Sequence, residues 1–272
     1  MNDLIDRALA EDIGDADLTS RAVVPADAVA RARIEQKAAG VIAGLEVAEA
    51  VFERVDPALH WTPRAAEGEW RDDGTVAGIA GGARAILGGE RVALNFLAHL
   101  SGIATLTARF VRAVEGTGAR ILDTRKTTPG LRALEKQAVI IGGGENHRLG
   151  LFDAVLVKEN HARLAGGVGA ATERALAGAH DGVPVEVECA HLDEVRLALD
   201  AGAARLLLDN MGLDDLREAV RLAEGRAELE ASGGITLENV RAVAETGVEL
   251  ISVGALTHSA PALDLSLQLE PL

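Results

Sequence analysis

The chain has 272 residues, 48% of them hydrophobic and 25% charged, enough for one large or two moderate globular domains with a sizeable core. Its formal net charge of -15 disfavours nucleic acid and anionic membranes as partners, and four Phe, two Trp and no Tyr leave few platforms for stacking bases. The single cysteine, Cys189, excludes an intrachain disulfide, and no signal-like N-terminus or long apolar run is present, so a reducing, cytoplasmic location without a membrane span is expected.

Leu4, Ile5, Ala8 and Leu9 have helical spacing, and Asp17 to Ser20 reads as a turn. Alternation over 28–37 predicts a strand, and apolar spacing over 44–55 predicts a helix. Strand-like runs at 75–79 and 83–88 flank Gly81-Gly82, a hairpin signal. A helical pattern over about 90–115 ends at Gly116 and Gly118. After Gly118, β-like runs recur at 119–124, 154–158, 185–189, 205–209, 227–232 and 249–253. Helical patterns at 170–178, 192–201, 213–224 and 236–246 lie between several of them. Alternating apolar strands and helices predict a parallel sheet covered by helices, and the number of units suggests a barrel, complete or incomplete.

In such a barrel the active site lies at the carboxyl ends of the strands. Those ends carry Thr124, Arg125 and Lys126; Lys158, Asn160 and His161; Glu186 and Glu188; Asp209 and Asn210; Ser232, Gly233 and Gly234; and Ser252 and Gly254. The chain has only four lysines, and Lys126, Lys136 and Lys158 fall close together near Arg125, His147 and Arg148. Where Arg is the habitual cation, a Lys suggests a need for a compact point charge. The implied site is a cationic pocket for a polyanion. Ser232-Gly233-Gly234 leaves a strand and opens a helical pattern, and Gly254 leaves the next, followed by Thr257 and His258. Backbone N–H groups at such turns suit a phosphate. Glu188 and Asp209 end adjacent strands and could hold Mg²⁺ or a ribose diol, or pair with the lysines.

The blocks LDTRKTTPGLRALEKQAV (122–139), GGGENHRLGLFDAVLVKENH (142–161), VEVE (185–188), LLLDNM (206–211), EASGGIT (230–236) and ISVGALTHS (251–259) resemble quinolinate phosphoribosyltransferases, as do three N-terminal blocks ending in GERVALNFLAHLSGIAT (89–105). The resemblance implies an α/β fold: an N-terminal α/β sandwich over 1–115, to which 263–272 return, plus an incomplete seven-stranded (β/α) barrel over 116–262. It implies phosphoribosyl transfer from phosphoribosyl pyrophosphate to quinolinate with decarboxylation, using Mg²⁺ and no organic cofactor. It further implies a homodimer or larger homo-oligomer with shared active sites, each completed by Arg91 of a neighbouring chain. By the same resemblance Lys126, Lys158, Glu188 and Asp209 are catalytic, the last two on the Mg²⁺-pyrophosphate and ribose. Arg91, Thr124, Arg125, His147, Arg148, Asn160, Ser232, Gly233, Gly234, Gly254 and His258 bind substrate. Gln137, Ile140, Ile141, Ala190 and His191 depart from the family's pattern at positions outside this set. A family associated with molybdate transport shares the TRKT-P-G block, but the KENH block and the VEVE-to-LDN spacing suit the quinolinate enzymes better. Two other readings remain: a Schiff-base aldolase with Lys158 as its amine, and a non-catalytic nucleotide-binding module, against which Lys126, Glu188 and Asp209 together weigh.

Overall fold

The structure, a computed structural model, describes residues 1–180 and 182–272. The chain divides into two compact units, one of Met1–Ala108, Pro129–Gly143 and Ala260–Leu272, the other of Arg109–Thr128 and Gly144–Ser259.

The chain opens with α1 (Asn2–Ile13), which buries Ile5 and Leu9. Next comes α2 (Leu18–Val23), where the sequence suggested only a turn. The Asp17 carboxylate accepts the Ser20 N–H at 2.9 Å, so the turn-like residues are the cap of a short helix. Then follow β1 (Val29–Gln36), β2 (Gly40–Val41), α3 (Leu45–Val55), β3 (His60–Pro63), β4 (Trp70–Arg71), β5 (Gly74–Gly82) and α4 (Ala83–Ala113). The hairpin expected at Gly81-Gly82 is absent. β5 runs through both glycines, a Cβ on Gly81 would strike the Leu59 side chain, and α4 starts at once. Ala83, Ile86, Val92, Ala93 and Leu97 are buried at helical spacing, which makes 83–88 the first turns of that helix.

Beyond α4 lie β6 (Arg120–Leu122), α5 (Arg132–Ile141, part of the first unit), β7 (Val155–Val157), α6 (Glu159–Ala165), α7 (Val168–Gly178) and β8 (Val185–Cys189). After these come α8 (Leu192–Asp200), β9 (Arg205–Asp209), α9 (Leu213–Ala223), β10 (Glu228–Ser232), α10 (Val240–Ala244), β11 (Leu250–Ser252), α11 (Ala255–His258) and β12 (Leu265–Pro271). In the first unit the sheet order is β12-β1-β5-β3, all antiparallel. β12 thus pairs with β1 across most of the sequence.

The second unit holds a sheet of order β6-β11-β10-β9-β8-β7, parallel throughout. In place of the expected seven strands, the described residues form six plus a one-residue parallel bridge, Leu122 to Glu145. The reason lies in the amides that follow. His147 N–H goes to the Asp123 carboxylate, and Leu149 and Gly150 N–H go to that of Asp153, so side chains take donors that a strand would give its neighbour. Along the strands one row is apolar and buried, as in Leu206, Leu208, Leu229, Ala231 and Ile251. The alternate row is largely polar: Glu186 and Glu188 on β8, Arg205 and Asp209 on β9, Glu228, Glu230 and Ser232 on β10.

Candidate active site

A cavity of about 340 Å³ is lined by nine of the expected residues: Thr124, Arg125, Lys126, His147, Arg148, Lys158, Glu188, Asp209 and Ser232. Leu156, Leu207, Glu230 and Ser252 complete the lining. The volume lies in the range of ordinary small-molecule sites.

The cationic side is held from below. Buried Asp123 at the end of β6 accepts the His147 N–H at 2.9 Å, which pins the NHR segment beside the TRK segment. Thr257 on α11 donates to the Lys126 carbonyl at 2.8 Å, and Thr124 Oγ1 accepts the Lys126 N–H at 3.0 Å. Arg148 donates one terminal N–H to the Ala154 carbonyl at 3.2 Å, while its Nε is buried with no hydrogen-bond partner among the described residues. Burial, and after it the Arg125 charge, hold the Arg148 guanidinium below its usual range. Two guanidiniums in this position, one with an unsatisfied buried donor, call for an anion.

Across the cavity, Lys158 Nζ donates to Glu188 Oε2 at 2.5 Å. An ammonium held against a carboxylate is not a free amine nucleophile, which argues against the Schiff-base reading. Asp209 Oδ2 accepts from Asn210 Nδ2 at 3.0 Å, and Asn210 itself is left-handed, with φ 56°. Its side chain covers Gly233, whose φ of +95° and lack of a Cβ make that packing possible. The helix expected directly after this turn is shortened to five residues, Val240–Ala244, because Asn239 caps the Thr236 N–H at 2.8 Å and 237–239 form a turn. The Ser232-Gly233-Gly234 turn is therefore not a helix N-terminus, and any phosphate there meets turn amides. Space around a Cβ on Gly234 is open, whereas one on Gly254 would lie 3.2 Å from both the Lys126 Cδ and the His258 Nε2. Gly254 thereby leaves room for those two side chains. Asn160 is exposed in the first turn of α6, and Arg91 is exposed on α4 in the first unit. Lys136, grouped with the pocket lysines by sequence, is instead buried on α5 of that first unit.

Beneath the cavity lies a charged cluster that the sequence reading missed. His147 Nδ1 accepts the Arg148 N–H at 2.8 Å, which leaves the proton on Nε2, 2.8 Å from Glu186 Oε2 and 3.6 Å from Glu230 Oε2. With both ring nitrogens engaged, His147 forms part of the cavity wall and props Arg148. Arg205 reaches Glu186 at 3.0 Å and Glu230 at 2.9 Å. Burial opposes ionisation of Glu186, but the His147 hydrogen bond and the Arg205 charge outweigh it and hold this carboxyl below the usual range. Burial, then the Glu186 charge, push Glu230 up, and Glu230 Oε1 is buried with no hydrogen-bond partner among the described residues. The His147–Glu186–Glu230 triad has the spacing of a metal site, yet the Arg205 guanidinium already supplies its positive charge. A charged residue between apolar neighbours in mid-strand, Glu230 between Leu229 and Ala231, is the sequence signal that could have revealed it.

No helix among the described residues is long and apolar enough to cross a membrane. The family model of the quinolinate phosphoribosyl transferase C-terminal domain matches residues 103–268, and that of the N-terminal domain matches 17–101. The chain is 44% identical to a rice chloroplastic nicotinate-nucleotide pyrophosphorylase (carboxylating), over 98% of this chain and 77% of that one. It is 43% identical to a mitochondrial quinolinate phosphoribosyltransferase (decarboxylating) of Nicotiana tabacum, over 99% and 82%. The fold is similar to that of NadC from Streptococcus pyogenes, with a TM-score of 0.95 at 39% identity, covering 100% of this chain and 96% of that one. Matched along nearly its whole length in sequence and in structure, the chain belongs to the quinolinate phosphoribosyltransferase family.

Proposed function

We infer that the protein joins quinolinate to phosphoribosyl pyrophosphate and releases pyrophosphate and carbon dioxide, giving nicotinate mononucleotide for NAD biosynthesis. The observation that carries this reading is the pair Arg125 and Arg148 on the cavity wall, with the buried, unpartnered Nε of Arg148. Quinolinate brings two carboxylates, and guanidinium forks bind carboxylates bidentately. Arg148, fixed through His147, orients the ring, and Lys126 and Lys158 add positive charge where pyrophosphate departs. The ring nitrogen attacks the ribose anomeric carbon, the bond to pyrophosphate breaks, and the nitrogen becomes cationic. That cation stabilises the carbanion left on the ring when the neighbouring carboxylate departs as carbon dioxide, and a proton taken up at that carbon completes nicotinate mononucleotide, so no organic cofactor is required. Glu188 and Asp209 steady the sugar's developing positive charge.

Glu188 and Asp209 are hard oxygen donors on adjacent strands, a donor set that fits Mg²⁺ arriving with pyrophosphate. When bound, the ion neutralises charge on the leaving group. Asp209, whose Oδ2 is taken by Asn210 alone among the described residues, is the better placed of the two, since Lys158 already engages Glu188. The turn at Ser232–Gly234, with Gly254 and His258, would take the 5-phosphate, and Thr124 and Asn160 would help to seat the substrates. The same reading makes the protein a cytoplasmic homodimer or larger homo-oligomer in which exposed Arg91 serves a neighbouring chain's cavity.

The test is an isotope balance. Quinolinate labelled at the carboxyl beside the nitrogen, incubated with phosphoribosyl pyrophosphate and Mg²⁺, should release one labelled carbon dioxide per pyrophosphate. Pyrophosphate release without labelled carbon dioxide would contradict the reading.

A further inference from the structure

The antiparallel sheet of the first unit carries a second cationic concavity, a trough of about 510 Å³ lined by none of the active-site residues. Its floor is the centre of β5, where Gly78 and Ala80 present almost no side chain. Arg33 and Arg31 of β1 stand opposite these two positions on one side, and Thr62 and His60 of β3 on the other. Arg64 extends the second wall. Arg33 pairs with Glu270 at 2.8 Å and lies 3.7 Å from Glu35. The side chains of Arg31, Arg64 and His60 make no hydrogen bond or ion pair among the described residues. Three guanidiniums are thus gathered in a chain whose net charge is -15.

Gly78 supplies an independent sign. Glycine inside a strand weakens it and often marks where a ligand or another backbone comes close. Nothing local demands it here: its φ is not positive, and a Cβ would meet only two carbonyl oxygens, each 4.0 Å away. The bare floor keeps the trough open.

We propose that this trough is a second anion site, taking a linear di- or triphosphate group. Arg31 and Arg33 are about 7 Å apart along β1, and the two walls are two strand spacings, about 10 Å, apart. A linear polyphosphate can therefore touch both walls, and guanidinium forks match phosphate oxygens bidentately. An acidic peptide fits less well. It would dock by backbone pairing on an edge strand, β3 or β12, and so lie beside the trough and not over its floor, since β5 is paired on both edges.

Calorimetric titration with inorganic triphosphate, in low-salt buffer without Mg²⁺, tests this. The background is Lys126→Ala, which weakens anion binding in the active-site cavity. That protein should keep one triphosphate site per chain. Adding Arg31→Ala with Arg64→Ala, or Gly78→Leu alone, should weaken the retained site at least tenfold, with melting curves confirming folding. Gly78→Leu changes no charge and enters open space, so it decides the matter if the double change unfolds the protein. The proposal is overturned if no site survives Lys126→Ala, if the surviving site ignores both trough changes, or if hexaglutamate binds it as tightly as triphosphate. None of these outcomes bears on quinolinate turnover, so the trough and the active site stand or fall separately.

Discussion

Arg148→Ala separates a substrate contact from a structural one, because the two have opposite signs. In the free protein Arg148 is held below its usual range by burial and by Arg125, so removing it relieves a repulsion. Its terminal hydrogen bond to the Ala154 carbonyl, at 3.2 Å, is the main local loss, about 1 kcal/mol. Stability should therefore change by no more than about 1 kcal/mol in urea unfolding. In the complex the variant leaves a quinolinate carboxylate without its fork. Truncating one partner of a buried charge pair costs about 2–5 kcal/mol. Arg148 is only partly buried, so the lower end applies, about 2–3 kcal/mol, or roughly 30- to 150-fold in the quinolinate dissociation constant. Steady-state kinetics with quinolinate varied, alongside equilibrium binding, would read this. An unchanged constant for quinolinate together with a large loss of stability would refute the assignment and leave Arg148 a loop anchor.

Three other expectations follow from the geometry. Glu230, whose carboxyl is pushed up by burial and by Glu186, should tolerate Glu230→Gln with a change below about 1 kcal/mol, whereas Glu186→Gln, which strips a carboxylate from Arg205 and His147, should cost about 1–3 kcal/mol in urea unfolding; equal costs would show that the two carboxyls are held alike. Gly233→Val should raise the Michaelis constant for phosphoribosyl pyrophosphate, because a left-handed φ of +95° and contact with the Asn210 side chain leave no room for a branched residue; normal affinity would show the turn to be structural only. Arg91→Ala and Lys158→Ala should each be nearly inactive, yet after subunit exchange should regain about a quarter of wild-type sites, since random pairing makes half the dimers mixed, each with one intact site. No regain, with exchange verified by a tag, would mean that Arg91 does not serve a partner.

Much of the second unit was legible because several buried parallel strands are short apolar runs ending in a charge, as in RLLLD and AVLVK. The nine expected residues that share one cavity follow from the rule that strand ends converge. Reading failed where a residue's partner is remote. Gly81-Gly82 resembles a turn until Leu59 is seen packed on it, and Asp17–Ser20 resembles a loop until the capping hydrogen bond is seen. The placement of Lys136 on α5, within the first unit, depends on how 129–143 return to that unit, which periodicity does not encode. Glu186 looks in sequence like a strand-end group of the same kind as Glu188, although it sits two residues deeper and binds His147 and Arg205 rather than lining the cavity. Glu230 hid among apolar neighbours for the same reason: depth along a strand is set by register, and register is known only when the strands are paired.

In the proposed reaction the cationic wall reads both carboxylates of a pyridine dicarboxylate. The ratio of kcat/KM for quinolinate to that for nicotinate, with phosphoribosyl pyrophosphate and Mg²⁺ fixed, measures this. Nicotinate lacks the carboxylate beside the nitrogen and leaves a partly buried cation unpaired, so the ratio should be at least about a hundredfold, the equivalent of about 3 kcal/mol. Comparable turnover of nicotinate would contradict the account.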